Sequence, residues 1–156
     1  MNTPTLKDVL KDVLAFVQRH DHAVEATVAA NGHPQAAVVG IVTSNAFEIV
    51  FDTEHTTRKC QNVRTDNRMA LVVGWDVPSA QTVQIEGVAD EPTATDLERL
   101  QALYFARFPD GVERLAWGTI VHVRLRPTWV RYSDFRGEKP IIIEFGPEVL
   151  LGLNLS

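Results

Sequence analysis

The chain has 156 residues and a formal net charge of −5, with 45% hydrophobic and 22% charged residues. These values are close to globular averages, so they exclude disordered, collagen-like and disulfide-rich classes and predict one domain over residues 1–156. The negative charge disfavours nucleic-acid binding, which needs a basic surface. With a single cysteine, no signal-peptide pattern and no apolar run of about 20 residues, we expect a cytoplasmic protein that does not span a membrane.

The first segment is predicted to be an amphipathic helix. Its apolar residues recur at steps of three and four, the spacing that lines one face of a helix: Leu6, Val9, Leu10, Val13, Leu14 and Val17. Thr3 is the predicted N-cap, and Pro4 occupies the first helical position, where its missing N–H costs nothing.

From His22 the pattern becomes that of β-strands. Two runs rich in Val and Ala are separated by Asn31-Gly32, the dipeptide best suited to the positive φ angles of a tight hairpin turn. The run "AFEIVFDT" follows closely, so we predict three strands in an antiparallel meander. Two more strands, "RMALVVGW" and "QTVQIEGVADE", come after a short helical segment and are joined by a loop that contains Pro78.

A second amphipathic helix precedes the last strands. Thr95 and Glu98 have the spacing of a capping box, just before an apolar set of Leu97, Leu100, Leu103 and Tyr104. The run "TIVHVRLRPTWVRYSDF" then returns to strand, and Val121, Val123 and Leu125 alternate with His122, Arg124 and Arg126. This alternation predicts one buried and one polar face. Since regular βαβ alternation is missing, an antiparallel barrel or strongly curled sheet with peripheral helices is predicted.

Most catalytic templates find no support in the sequence. The five histidines lack paired metal-ligand spacing, so no metal site is expected. The phosphate-loop, dinucleotide-binding and G-x-S-x-G motifs are also missing. Cys60 has cations nearby in the sequence, but a small buried thiol is the usual state of a helical cysteine. The sequence therefore identifies no catalytic residue.

The stretch "FDTEHTTRKCQNV" changes from strand to helix and carries its cations in an unusual place. If the helix begins near Thr57, then Thr56 or Thr57 is the N-cap and Arg58 and Lys59 lie in the first turn. The positive end of the helix dipole disfavours cations there. A bound anion would resolve the conflict, because hydroxyls, free N–H groups and cations all bind phosphate. A capped surface helix with two solvated cations explains the stretch equally well.

The order of motifs around this stretch resembles the pyridoxamine 5'-phosphate oxidase-like superfamily, the FMN-binding split barrels. The resemblance is carried by "FDTEHTTRKCQNVRTDNRMALVVGW" and "QTVQIEGVADEP", with "NGHPQAAVV" before them and "RPTWVRYSDF" after them, and it spans His22 to Phe135. It implies a mainly β (α+β) fold, a six-stranded antiparallel split barrel with peripheral helices. It also implies a homodimer that holds two FMN molecules at the subunit interface, and an FMN-dependent oxidoreductase.

The resemblance implies a phosphate site and a flavin site by position. Thr57, Arg58 and Lys59 would hold the FMN phosphate, and Asp52 and Thr53 would lie beside the flavin at the end of the preceding strand.

The remaining implied contacts are near the ring system. Thr82, or its neighbours Gln81 and Gln84, occupies the place where the family often has a glutamine. Trp129 and Tyr132 are implied as aromatic contacts from the partner subunit, although both would also suit a packed β-face in the dimer or the core.

The chain departs from the true oxidase in two places. The second barrel strand reads "QAAVVGIV", without the cations that the oxidase carries there, and "YSDFRGEKPIIIEF" replaces the oxidase's substrate-binding run. Oxidation of pyridoxamine phosphate is therefore not expected, and the substrate stays open. His122, Arg124 and Arg131 would enter a substrate pocket or lie on a solvent-facing strand or dimer rim.

Two alternatives remain on the same barrel. A deazaflavin has a longer anionic tail and would need further cations, such as Arg64, Arg68 or Lys139. A non-catalytic flavin-binding or carrier protein would keep the barrel without turnover.

Overall fold

The computed structural model describes residues 3–74 and 78–155, and its centre is an antiparallel sheet that curls on itself. The strands are β1 (His22–Val28), β2 (Pro34–Gly40), β3 (Val42–Thr43), β4 (Ile49–Glu54), β5 (Arg68–Val73), β6 (Gln81–Asp90), β7 (Ile120–Asp134) and β8 (Ile141–Phe145). Their order is β2-β1-β5-β6-β7-β4-β3, and β8 pairs with the second half of β7.

The two ends of this order lie on one chain segment, because only Ile41 separates β2 from β3. The sheet therefore closes into a barrel in which β2 and β3 act as one bent strand. Counted in this way, the barrel has six strands, and β8 is added beside it. The predicted mainly β split barrel with peripheral helices is confirmed, with this difference in strand count.

The peripheral helices begin at residues that the sequence patterns only partly identified. They are α1 (Leu6–Gln18), α2 (Arg58–Thr65), α3 (Ala94–Arg107), α4 (Gly111–Leu115) and α5 (Pro147–Leu151), followed by a 3-10 turn (Gly152–Leu155). Within the described ranges, no helix combines the length and apolar character needed to cross a bilayer.

Both predicted helix caps were wrong. Thr5, not Thr3, caps α1, since its hydroxyl accepts the Asp8 N–H and the Asp8 carboxylate accepts the Thr5 N–H. Leu6, three residues after Thr3, cannot return such a bond. The N-cap of α3 is Thr93, because its carbonyl accepts the Leu97 N–H at 3.3 Å, and Thr95 lies within the first turn.

The β1–β2 hairpin forms where it was predicted, but with a longer turn. The Ala29 N–H donates to the His33 carbonyl, and the Gly32 N–H donates to the Ala29 carbonyl. Of the two predicted turn residues, Gly32 has a positive φ (84°) and Asn31 does not. A tight two-residue turn of type I′ needs a positive φ at both, so this loop is of a different type. The predicted meander continues through the β3–β4 pair, after which β4 pairs with β7. The predicted end of the next strand, Trp75, lies outside the described residues.

The barrel interior forms the main core, and α1 packs against it. Phe51, Leu71 and Ile85 are fully buried from β4, β5 and β6, and Leu10 and Val17 of α1 join the same cluster. Each such side chain contributes about 1.5–3 kcal/mol by leaving water.

A second small core lies outside the barrel, under α3, and includes Val50, Leu100 and Tyr104. It explains why the polar face of β7 is largely buried and does not face solvent. His122 and Arg124 are buried, at 2% and 6% exposure, and only Arg126 is exposed.

The outer surface of β1, β2 and β5 is apolar instead. In one row, Val24 pairs with Val38 and Val72; in the next, Ala26 pairs with Ala36 and Ala70. Val38 is 65% exposed and Val72 is 37% exposed. We call these six residues the valine–alanine face.

Candidate functional site

A pocket of about 360 Å³ lies between the N-terminus of α2 and strands β1 and β2. Its lining residues are Glu25, Thr27, Gln35, Ala36, Ala37, Thr56, Thr57, Arg58 and Lys59. The structure thus brings the three predicted phosphate residues together with polar side chains from two neighbouring strands.

The start of α2 offers hydrogen-bond donors to this pocket. The helix begins at Arg58 after the N-cap Thr57, as predicted. The Thr57 side chain accepts no helix N–H, and its hydroxyl lies 3.1 Å from the hydroxyl of Thr53. Since the first N–H groups of a helix lack acceptors within it, and since this first turn has no acidic residue, the end of the helix is positive and unneutralised.

Arg58 and Lys59 add two positive charges that no nearby carboxylate pairs with. Over the described ranges, neither side chain forms a hydrogen bond or an ion pair. The next cations along the chain behave differently, because Arg64 binds Glu91 at 2.6 Å and Arg68 binds Asp66 at 2.5 Å. The uncompensated pair favours an anion in the pocket.

The buried side-chain amide of Asn62 holds two polar residues that line the pocket, Thr27 and Gln35. The Asn62 side chain of α2 donates to the Thr27 hydroxyl at 3.0 Å and to the Gln35 side-chain oxygen at 2.9 Å. These bonds satisfy buried polar groups and fix α2 against β1 and β2.

Glu25 also lines the pocket, but its buried carboxyl is not satisfied by a hydrogen bond as Thr27 and Gln35 are. Its side chain faces the barrel interior at 2% exposure, and its Oε2 atom has no hydrogen-bond partner among the described residues. Burial raises the pKa of the Glu25 carboxyl to about 7, and the field of the Lys59 ammonium opposes part of that rise. The pocket therefore contains an acid that is partly neutral near neutral pH.

Of the two residues on β4 that were predicted to lie beside the flavin, Asp52 is already bonded to other side chains of the chain. Asp52 accepts the Tyr104 hydroxyl at 2.8 Å and the Arg114 Nε at 2.9 Å. Thr53 lies beside Thr57, at the edge of the pocket.

The other predicted contacts do not line this pocket within one chain. Thr82 is half-buried, Gln84 is exposed, and Gln81 donates to the Tyr132 hydroxyl. Tyr132 packs against Phe16. Trp129 is half-buried. It pairs with Glu86, which pairs in turn with Ala70 of the valine–alanine face, so that Trp129 lies in the same row across the sheet. Their roles at a cofactor stay predictions.

The candidate substrate residues on β7 are held by neighbouring side chains. Arg124 binds Asp90 at 2.6 Å and Asp96 at 3.0 Å. His122 contacts the Tyr104 and Phe105 rings, and burial lowers its pKa. A solvent-facing position was thus wrong for both, while half-buried Arg131 lies 3.7 Å from Glu144.

Cys60 is the small buried thiol that its helical position predicts. Burial raises its pKa to about 11, which keeps the thiol protonated and unreactive. Over residues 3–74 and 78–155, no group of three or more His, Cys, Asp or Glu side chains could hold a metal ion.

Sequence reasoning missed four site residues: Glu25, Thr27, Gln35 and Asn62. In β1, strict alternation with Val24, Ala26 and Val28 suggests that the apolar set faces inward, whereas the structure turns Glu25 and Thr27 inward. The available signal was the adjoining strand "QAAVVG", in which both alternate sets of positions contain apolar residues, so that β2 can form an apolar outer surface together with Val24, Ala26 and Val28.

Comparison with known proteins yields one matching family. The family model described as "Pyridoxamine 5'-phosphate oxidase" matches residues 9–134. A curated relative, the pyridoxine/pyridoxamine 5'-phosphate oxidase of Bordetella avium (strain 197N), is 34% identical over 94 residues, covering 60% of this chain and 42% of that protein. The chain spans between 42% and 61% of the length of the curated relatives it matches.

Solved structures share the fold at low sequence identity. A heme binding protein from Mycobacterium smegmatis aligns with a TM-score of 0.81 and 16% identity, over 97% of this chain and 62% of that chain. A pyridoxamine 5'-phosphate oxidase-related, FMN binding protein from Nostoc punctiforme aligns with a TM-score of 0.68 and 13% identity, over 93% of each chain.

Proposed function

The chain belongs to the pyridoxamine 5'-phosphate oxidase family, and we propose on that footing that it is an FMN-binding flavoprotein that acts as an oxidoreductase. The observation that carries the proposal is the pocket in which the start of α2, Thr57, Arg58 and Lys59 converge without a bound carboxylate. A phosphate monoester suits these groups, since it accepts several charge-assisted hydrogen bonds at once.

The chain's own residues would bind and orient the cofactor. Thr57, the free N–H groups of α2, Arg58 and Lys59 would hold the phosphate, and Asn62 would keep α2 in place against the barrel. FMN, when bound, would supply hydride or electron transfer. The chain lacks cations in "QAAVVGIV", so it differs from the true oxidase in the strand that faces this pocket. The proposal therefore names no pyridoxamine phosphate substrate.

FMN is favoured over deazaflavin and over heme by the charges and donors around the pocket. A deazaflavin tail would need cations beyond Arg58 and Lys59, but Arg64 and Arg68 are paired with Glu91 and Asp66, and Lys139 is not among the residues that line the pocket. Heme is relevant because two proteins of similar fold are named for it, one as a heme binding protein and one as a heme storage protein. The nine lining residues include no His, Cys, Met or Tyr to ligate an iron.

A homodimer is proposed with the valine–alanine face as its contact surface. Rows of Val and Ala standing open on three adjacent strands form an apolar patch that a second copy would cover. Trp129 lies at the end of the alanine row and would then meet the partner subunit. This placement agrees with a cofactor that binds near the interface.

The test is a titration of the purified protein with FMN, in which binding is monitored by the fluorescence of the flavin. Replacing Arg58 and Lys59 together by Ala should weaken binding by about 2 to 5 kcal/mol, the sum of two charge-assisted contacts. Lys7→Ala with Lys11→Ala is the matched control, because it removes the same charge from exposed positions on α1. Bleaching of the flavin absorbance by a nicotinamide donor would then distinguish an oxidoreductase from a carrier.

Two outcomes would contradict the proposal. If the wild-type protein does not bind FMN, the function is wrong, and a parallel titration with hemin identifies the competing ligand. If the Arg58 and Lys59 variant binds FMN as well as the control does, the phosphate lies elsewhere.

A further inference from the structure

Glu25 is a buried acid that forms no hydrogen bond or ion pair within residues 3–74 and 78–155. Its side chain faces the barrel interior and lines the same pocket as Arg58 and Lys59. Its Oε2 atom makes no hydrogen bond in the part of the chain that the structure describes, and no cation lies within ion-pair distance of it. Buried polar groups normally have a partner, so a carboxyl in this state indicates that a ligand supplies one.

The surroundings of Glu25 identify the kind of partner. The residue opposite it on β2 is Ala37, and the one opposite on β5 is Leu71, so neither directly facing residue is polar or titratable. Asn62 donates to the Thr27 hydroxyl oxygen and to the Gln35 side-chain oxygen, and neither Thr27 nor Gln35 is hydrogen-bonded to Glu25. Arg58 and Lys59 from α2 are the charged groups that face the pocket. A ligand drawn in by these cations is an anion, and the oxygens of an ionised phosphate can pair with Glu25 only by accepting a hydrogen bond from it.

We propose that Glu25 is a ligand-binding residue of this pocket, and that its protonated carboxyl donates a hydrogen bond to the phosphate group held by Thr57, Arg58 and Lys59. This inference rests on the proposed function. An ionised Glu25 would repel the phosphate and compete for Lys59, whereas the neutral acid turns the unpartnered oxygen into a donor. The phosphate therefore binds together with one proton on Glu25.

The affinity for FMN should then depend on pH in a defined window. The pKa of Glu25 in the free protein is about 7. If the bound state keeps the proton, the affinity falls as pH rises above that value, by about 15-fold between pH 7 and pH 8.5. The second ionisation of a phosphate monoester, near pH 6, is complete below this window and adds no further change within it.

The experiment compares FMN binding at pH 7 and pH 8.5 for the wild-type protein, Glu25→Gln and Glu98→Gln. The amide of Glu25→Gln keeps a donor and cannot ionise, so its affinity should change less than about twofold over this range. Glu98→Gln removes an exposed acid on α3 and should show the 15-fold loss of the wild type. Riboflavin, which lacks the phosphate, should bind without this pH dependence.

Calorimetry supplies a measurement that does not depend on a variant. FMN titrations at pH 8, in two buffers of different ionisation enthalpy, should show the wild-type protein taking up about 0.9 proton per FMN bound. Equal pH dependence in Glu25→Gln and wild type, a riboflavin affinity that falls as the FMN affinity does, or binding without proton uptake would each overturn the inference and leave the proposed function standing. Failure to bind FMN at either pH would refute the proposed function itself, and this inference with it.

Discussion

Arg124 should be required for folding stability and not for ligand binding. It lies on β7 with 7% of its side chain exposed, and it binds carboxylates from three other parts of the chain: Asp90 of β6, Asp96 of α3, and Glu48 just before β4. Arg124→Met keeps much of the side-chain volume and removes the charge. Glu48 and Asp96 would then share the single cation of Arg99, and Asp90 would keep only Arg126, at 3.6 Å.

The expected loss follows from the burial of this cluster. Removing one partner of a fully buried ion pair costs 3–5 kcal/mol, since the remaining charge stays desolvated. Asp90 and Asp96 keep 33% and 50% of their side-chain exposure, so water compensates in part. We therefore expect a decrease of about 3 kcal/mol in the free energy of unfolding. For a chain of this length, that corresponds to a fall of roughly 6–12 °C in Tm.

Urea denaturation followed by circular dichroism measures this loss, and Arg126→Met is its control. Arg126 is the next outward residue on β7, but it is 52% exposed and reaches only Asp90, at 3.6 Å. Exposed pairs of this kind contribute less than about 1 kcal/mol. If Arg124→Met destabilises the protein no more than Arg126→Met, the cluster is not structural. A large loss of FMN affinity in Arg124→Met protein that remains folded would place Arg124 at the ligand instead.

Three further predictions concern single residues. The pKa of Glu25 is about 7 in the folded protein and 4.5 ordinarily, so the folded state holds this proton more tightly than the unfolded state does. The resulting stability is fully present below pH 4.5 and is lost as pH rises from 4.5 to 7. The loss is roughly 3 kcal/mol, which Glu25→Gln should abolish in urea denaturation at pH 5 and pH 8. Gly87→Ala places a Cβ 2.2 Å from the Arg126 carbonyl oxygen and should lower stability by about 2 kcal/mol in thermal melts, whereas Gly152→Ala meets nothing within 4 Å and should be neutral. Val38→Asp should convert a dimer to monomers in light scattering, and Val112→Asp, at a residue 53% exposed on α4, should not.

The barrel could be predicted because its signals are local and repeated. The Asn31-Gly32 turn, the strand runs on either side and the changeover at Thr57 each depend on a few adjacent residues, and the structure places all three where the sequence indicated. The N-caps were predicted wrongly, since Thr3 and Thr5, and likewise Thr93 and Thr95, are chemically equivalent candidates. Only the reciprocal bond between Thr5 and Asp8 decides the first case.

The burial of β7 could not be predicted from alternation. Its polar residues alternate as they would on a solvent-facing strand, but α3, which precedes β7 in the chain, packs over them. Arg124 is tolerated there only because Asp90, Asp96 and Glu48 arrive from three other segments. Long-range pairing of this kind leaves no periodic signal in a single sequence.

The pocket combines both situations. Thr57, Arg58 and Lys59 form one local run, and their conflict with the helix dipole was visible before the fold was known. Glu25 lies on a different strand, and its relation to that run depends on the β1–β2 register, which places it opposite Ala37. A cation at either of these two positions would strengthen an anion site. Ala37 supplies only a methyl group there, and Glu25 supplies a buried acid. A pocket built in this way can bind phosphate tightly only when the acid is neutral, so its affinity depends on pH as well as on Arg58 and Lys59.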